Sequence, residues 1–487
     1  MFRKTAIGFV GIIIVVIALL GCAQPAPTPT PTTTPPLTPT TTPATPTTTP
    51  PLTPAPTTPT PTATPTPVKL EGPIVICGLF DPRVPVFKAD VEAIKVAVDE
   101  INAAGGILGA KVEFFHEDTQ RRVDLAVAAY RSAVVEKKCK IVLLEGVSEE
   151  AYAIIEEGAR LYPSYPHIVI SSQAGFATTM KVMQNYDKYK FYFRNLPPDP
   201  DLNYNVPKTY FEIAKAIGVK RVALLLEDAA WTECARKGCE FTTPYGTIGS
   251  KAMKDWVQEE YGLEVVYVAT IAVGQKDFLP MLEESARRGA QYIFVLSSWY
   301  TDTVTLTKQW AESGAKNIPL ALFGGPNQWG VFYKLTGGKA LGVLTMLYDT
   351  ADVPPVSSKT KEVVKKLNAL GLGVDMSVHY YYSEVYRVKE AIEKAGSLDM
   401  DKVIKAMEEL EFEHTSVPTK YAFFGYKNPN FHSYTGGYVL VAQFQCNGKP
   451  AWITPPELLV DFNEEVQKAS SIKLYKSPEE LRKICPS

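Results

Sequence analysis

Apolar residues recur at three- and four-residue intervals at Val91, Ile94, Val98 and Ile101, the spacing of one buried helical face, and predict a helix over Val91–Ala104. Gly105 and Gly106 end it, because glycine past a helix end takes the left-handed conformation without a Cβ clash, and Gly109 allows a second bend. Lys111, Glu113 and Phe115 then alternate with Val112, Phe114 and His116 as far as Asp118, a two-residue period that predicts a strand. The same signals repeat along the chain. Short apolar runs predict strands at Ile74–Leu79, Ile141–Leu144 and His167–Ser171, with helices at Leu125–Lys138 and Glu150–Leu161. After the proline-rich Asn195–Pro200 the pattern restarts, with strands at Arg221–Leu226, Glu264–Ala269, Tyr292–Leu296 and Pro319–Phe323. The chain crosses again near Leu341–Tyr348, helices follow at Lys361–Leu370 and Ser377–Ala395, and Tyr438–Gln445 has strand composition. Strands and helices in alternation, with short connections, imply right-handed crossovers and an α/β architecture with parallel sheets.

The string INAAGGILGAKVEFFHEDTQ, Ile101 to Gln120, resembles the I-N-A-x-G-G-I-x-G signature, followed by an acidic strand end, near the start of branched-chain amino-acid-type (type I) periplasmic binding proteins. The resemblance extends over 68–461. It implies two doubly wound parallel-sheet lobes joined by a three-crossing hinge, with a ligand held in the cleft between them. Lobe 1 is expected at about 68–197 and 348–417, lobe 2 at about 198–347 and 418–461, and a tail at 462–487. Ligands in such sheets bind at the carboxyl ends of the strands, so the loops there carry the candidate site.

Composition adds a setting. The 487 residues, 46% hydrophobic and 21% charged, suffice for two cores. A net charge of -2, with no basic stripe, argues against nucleic acid as a partner. Arg3 and Lys4 precede an apolar run from Ala6 to Leu20 that ends at Gly21-Cys22. This reads as a lipoprotein signal with Cys22 as the lipidated residue, or as a retained membrane helix. On both readings 1–22 is the signal or anchor that tethers the folded part outside the cytoplasm, at the outer face of the cell membrane. From Pro25 to Pro67 the chain is almost wholly Pro, Thr and Ala, so 23–67 is expected to be a disordered spacer reaching on the order of 130 Å if fully extended.

Six cysteines remain: Cys77, Cys139, Cys234, Cys239, Cys446 and Cys485. An exported chain can form three disulfides from them; Cys234 with Cys239 and Cys446 with Cys485 are the preferred pairs, the first being local and the second pinning the tail. No Cys-x-x-Cys occurs and the five histidines are scattered, so no metal is expected, and no cofactor is. Neither Gly-x-Ser-x-Gly, His-Glu-x-x-His nor a phosphate-binding glycine loop is present, which favours a binding protein over an enzyme.

The resemblance assigns roles residue by residue. Ser148 matches a serine that helps hold the ligand carboxylate, and its place before an acidic helix start also makes it a good N-cap. Gln173, Ala174 and Gly175 occupy a second carboxylate-binding stretch; Gly175 lacks a hydroxyl, so backbone N–H groups would serve. Trp231 and Trp299 fall where aromatic residues line the cleft. Asn327 stands where amino-acid binders carry a glutamate for the α-ammonium group. A neutral amide cannot balance a buried cation, which disfavours a free α-amino acid. Tyr382 aligns with a cleft tyrosine, with His379 on the same helix face and Tyr380 and Tyr381 as packing. The Phe80–Pro85 loop departs from the family pattern and receives no contact. The expected function is a surface-tethered solute-binding protein that delivers an amino-acid-like compound, an aromatic or apolar carboxylate, or an amide to the permease of an ABC importer by hinge closure. The alternative is a ligand sensor that signals through a separate membrane partner.

Overall fold

The computed structural model describes residues 69–173, 175–347, 354, 356–371, 373–374, 376–413, 420–421, 432, 440–460 and 462–485. The apolar run before Cys22, Cys22 itself, the Pro/Thr stretch and Ala174 lie outside the described residues. Among the described residues, no helix is long and apolar enough to cross a membrane.

Five strands, β1 (Ile74–Leu79), β2 (Val112–Glu117), β3 (Ile141–Leu144), β4 (Ile168–Ser171) and β5 (Tyr192–Arg194), form a wholly parallel sheet ordered β2-β1-β3-β4-β5. Beyond it the chain builds β6 (Arg221–Glu227), then a hairpin of β7 (Cys239–Thr243) and β8 (Gly246–Ser250). It continues with β9 (Glu264–Ile271), β10 (Tyr292–Leu296), β11 (Leu320–Phe323) and β12 (Leu344–Met346). A short pair, β13 (Phe412–Glu413) with β14 (Lys420–Tyr421), precedes β15 (Val441–Phe444) and β16 (Pro450–Trp452). The second sheet runs β16-β15-β12-β11-β10-β6-β9, with β15 and β16 antiparallel at one edge.

Each lobe therefore has the same parallel heart, its first strand flanked by its second and third, and the switch between them opens a crevice at the carboxyl ends. Helices cover the sheets, so β3, β4, β10 and β11 are buried at every residue. That double burial is why they read as continuous apolar runs instead of alternating ones. The first-lobe core runs from Ile74 to Phe193 and resumes with Val363 and with Val378 to Met407, and Trp329, from beyond β11, packs into it. The chain thus passes between the lobes three times: after β5, after β12, and before β15.

Element starts differ from the sequence reading in instructive ways. The first helix spans Pro85–Ala103, beginning six residues before Val91 because Pro85 fits the first helical position, where no N–H is needed. Gly105 and Gly106 stop it at φ of 104° and 78°. A helix at Val123–Arg131 passes into a π-helical turn at Ser132–Glu136. The β7–β8 hairpin is a structural addition to the predicted elements, since its sequence, with polar residues on both faces, carries no clear period.

Three disulfides join Cys77 to Cys139, Cys234 to Cys239 and Cys446 to Cys485. The two pairs preferred from sequence form, and the remaining two cysteines make the third. Cys234–Cys239 ties the base of the hairpin, whose Phe241 crosses to the first lobe and meets Phe176 with ring centroids 5.0 Å apart.

Candidate functional site

Loops after the parallel strands of both lobes surround a cavity of about 140 Å³. The first lobe contributes Phe87 and Asp90 from the Pro85–Ala103 helix, Arg121, Gly146, Ser148 and Ser172 from loops after β2, β3 and β4, and Met376 and Ser377. The second contributes Leu202, Trp231 after β6, Ser297 to Tyr300 after β10, Phe323 to Gly325 and Gln328 around the end of β11, and Met346 of β12. Leu196, on the first crossing, completes the wall.

The sequence-derived candidates divide. Ser148, Trp231 and Trp299 share this cavity. Ser148 opens the Ser148–Leu161 helix but does not cap it; Val147 holds the N-cap position without a side-chain bond. The Ser148 hydroxyl instead accepts from the Gly175 N–H at 3.3 Å and donates to Gln173 Oε1 at 3.4 Å. Gln173 is fully buried, with its amide on Thr178. It and Gly175 therefore stand behind Ser148 and not on the wall. A Cβ at Gly175 would overlap the Tyr152 hydroxyl, so the Tyr152 ring occupies the space of the missing side chain. Gly175→Ala is expected to push Tyr152 aside and to lower stability by about 1–3 kcal/mol, read from urea unfolding midpoints.

Asn327 and Tyr382 lie away from the cavity wall. Asn327 sits in the turn Pro326–Gln328, fully buried, its amide donating to Leu322 O at 3.3 Å and Thr345 Oγ1 at 2.9 Å. In a 3₁₀ turn consecutive side chains diverge by about 120°, and the next residue, Gln328, is the one on the wall. Tyr382 donates to Glu100 Oε2 at 2.6 Å and lines a separate hollow with Lys366 and Tyr386. The Met376–Ala395 helix turns Met376 and Ser377 to the ligand cavity, and Tyr380 packs with Met376 and Leu196. At about 100° per residue, Tyr382 points some 200° away from Tyr380. Tyr381 joins the strand ends, accepting from Ser172 N at 3.1 Å and donating to Leu144 O. His379 is buried.

Glu227, the last residue of β6, is fully buried and organises the second-lobe wall. Its carboxylate accepts from Trp231 Nε1 at 3.1 Å, Ser298 N at 3.2 Å, Ser298 Oγ at 2.6 Å and Thr301 Oγ1 at 2.5 Å. Trp231 and Ser298 are both wall residues, so one acid sets the position of each. The signal in the sequence was the acid four residues before Trp231, at the end of a strand.

Trp299 packs on the first-lobe core although it follows β10, and its ring lies 4.9 Å from that of Trp329. Arg121 adds a further contact between lobes: its guanidinium lies 5.5 Å from the centroid of the Tyr300 ring. Gln120 and Arg121 both take left-handed backbone, φ 54° and 51°, an uncommon conformation for these residue types that bends the chain sharply after β2.

Beneath the first-lobe wall is a group of acids. Glu145 accepts from the Asp81 N–H at 2.8 Å and from the Thr119 hydroxyl. Burial, and then the charge of its neighbour, push Glu150 well above its ordinary value, and burial raises Glu145 against the bonds it accepts. The two share a dry site that resists a double negative charge. Burial also opposes ionisation of Asp81, but hydrogen bonds from Arg83 and the charges of Arg83 and Arg121 outweigh it and leave that acid below its ordinary range. Among the described residues, no group of histidine, cysteine, aspartate and glutamate could hold a metal ion.

Comparison with known proteins agrees with this architecture. A leucine-, isoleucine-, valine-, threonine- and alanine-binding protein of Pseudomonas aeruginosa is 24% identical over 320 residues, covering 65% of this chain and 76% of the relative. The branched-chain amino acid transporter substrate-binding protein LivJ of Streptococcus pneumoniae, solved with isoleucine, superposes with a TM-score of 0.60 at 19% identity, covering 78% of this chain and 99% of that one. A solute-binding protein of an ABC transporter from R. palustris, solved with benzoate, gives a TM-score of 0.59 at 16% identity, covering 79% and 96%. At these identities the structural likeness is one of fold. The model of the periplasmic binding protein family matches residues 82–441, and the chain belongs to that family.

Proposed function

We propose that this protein is the extracytoplasmic solute-binding component of an ABC importer and that it shuts its two lobes on a small organic molecule. The observation that supports this best is the composition of the cavity wall, drawn from strand-end loops of both lobes and rich in aromatic and methionine side chains. A guest seated on one lobe gains the contacts of the other only on closure, which shifts the population to the closed form for a permease to read. The apolar wall suits a ring or branched aliphatic body, as in an amino-acid-like compound, an aromatic or apolar carboxylate, or an amide. The relatives solved with isoleucine and with benzoate support that range. An amino-terminal anchor, by lipid on Cys22 or by the Ala6–Leu20 run, would keep the lobes near the permease, and the proline- and threonine-rich spacer would let them search for it.

Native mass spectrometry of gently purified protein is expected to weigh a co-purifying small molecule. Binding of that molecule should change tryptophan emission, and Trp231→Ala should cost about 2 kcal/mol or more of binding free energy in calorimetry. An empty cleft that answers no organic solute would sink the reading.

A further inference from the structure

We infer that the guest carries a positively charged nitrogen, held by Asp90 inside an aromatic enclosure; this rests on the solute-binding reading and narrows its ligand class. Among the described wall residues, only Asp90 and Arg121 carry a full charge when ionised. Their settings differ. Asp90 is fully buried on the Pro85–Ala103 helix, one turn beyond Phe87, and accepts a hydrogen bond from Ser377 Oγ at 2.8 Å. The Arg121 side chain is 37% exposed, 3.5 Å from an Asp81 carboxylate oxygen, and lies over the Tyr300 ring. Its charge is already answered at the edge of the first lobe.

The rings of Phe87, Trp231, Trp299, Tyr300 and Phe323 line the same cavity as Asp90. Aromatic faces carry partial negative charge and attract cations, more strongly when water is excluded, and a carboxylate among them supplies the balancing charge. An anionic head group meets the opposite. The helix start at Ser148, which could have cradled a carboxylate, has Glu149 and Glu150 in its first turn. Its N-terminal potential is thus already opposed by Glu149, and Glu145, buried beside Glu150, places further negative charge beneath the same wall. The second-lobe wall, with Gln328 in place of the buried Asn327, offers no ionisable acid; the anion stands on the first lobe.

The test pairs opposite charges on one skeleton. Full-length protein, freed of co-purified material by unfolding and refolding, is titrated with 2-phenylethylammonium and 3-phenylpropionate, within a wider panel of aliphatic and aromatic ammonium ions and the matching carboxylates. Ammonium ions should bind at least tenfold more tightly than their partners. Asp90→Asn should weaken them by about 30-fold or more, since it leaves a desolvated cation without its counter-charge, and should spare any carboxylate binding. Arg121→Met, which adds no anion, should keep or strengthen the ammonium preference, and it serves if Asp90→Asn fails to fold. Ser377→Ala should retain the preference too. A carboxylate preference, equal binding of the two series, or an ammonium preference that survives in Asp90→Asn overturns the assignment and leaves the solute-binding reading standing. A response to neither series overturns it as well; if the purified protein also carries no small molecule, the solute-binding reading falls with it.

Discussion

Replacing Glu227 by alanine is expected to remove measurable ligand binding and to lower stability by roughly 3 kcal/mol or more. The effect follows from how many groups share one buried carboxylate. Trp231 Nε1, the Ser298 N–H and the hydroxyls of Ser298 and Thr301 all donate to it. Without it, the buried Thr301 hydroxyl and the half-buried donors of Trp231 and Ser298 lose their partner at a cost of about 1 kcal/mol each, and the loops after β6 and β10 lose their common anchor. Glu227→Gln keeps the volume but offers one acceptor oxygen instead of two and turns an NH₂ toward donors, so it should be intermediate. Urea unfolding, with calorimetry on the fraction that stays folded, separates the two losses. Wild-type affinity and midpoint in Glu227→Ala would show that the wall is held by other contacts.

The second large effect is a pH dependence centred on Glu145 and Glu150. Both are raised above the ordinary glutamate value of 4.5 in the folded protein, first by burial. The folded state therefore keeps protons that the unfolded chain gives up. Stability from this pair is fully present below about 4.5 and falls as pH rises toward and through the elevated folded values. Glu145 accepts bonds from Asp81 N–H and the Thr119 hydroxyl, which favours its ionised form and leaves the proton on Glu150. Glu150→Gln mimics that protonated form without titrating. It should raise stability at pH 8 by on the order of 1–3 kcal/mol and change it little at pH 4.5. Urea midpoints of the two proteins at both pH values decide it. A variant less stable at pH 8, or an equal gain at both values, would refute the shared proton.

Much of the fold was legible because the strands at the centre of each sheet are apolar on both faces. Tyr292 to Leu296, YIFVL, leaves no choice but a buried strand, and every residue of it is buried. The same runs mark where strands end, and the family resemblance named Ser148, Trp231 and Trp299 beyond three of those ends, where they share one cavity. Residues beyond the strand ends were harder. Asn327 was displaced by one residue of turn, a distinction that depends on local backbone winding. Tyr382 was lost to helical phase, because alignment supplies a position along the chain but not the side of the helix turned inward. Asp90 was hidden for another reason: it stood one residue before the predicted helix start, and an acid there reads as solvent-facing until a second helix is seen to cover it, here through Ser377. Arg121 and Tyr300 meet only when both lobes are in place, and nothing local to either announces the other.

The placing of the sulfur bridges has a mechanical result. Cys77–Cys139 staples the first sheet to the loop before β3, while Cys234–Cys239 and Cys446–Cys485 lie wholly within the second lobe. Each bridge narrows the unfolded ensemble of the body that contains it, and among the described residues none ties one body to the other. An oxidising environment therefore toughens both bodies against proteases and heat without crosslinking one to the other.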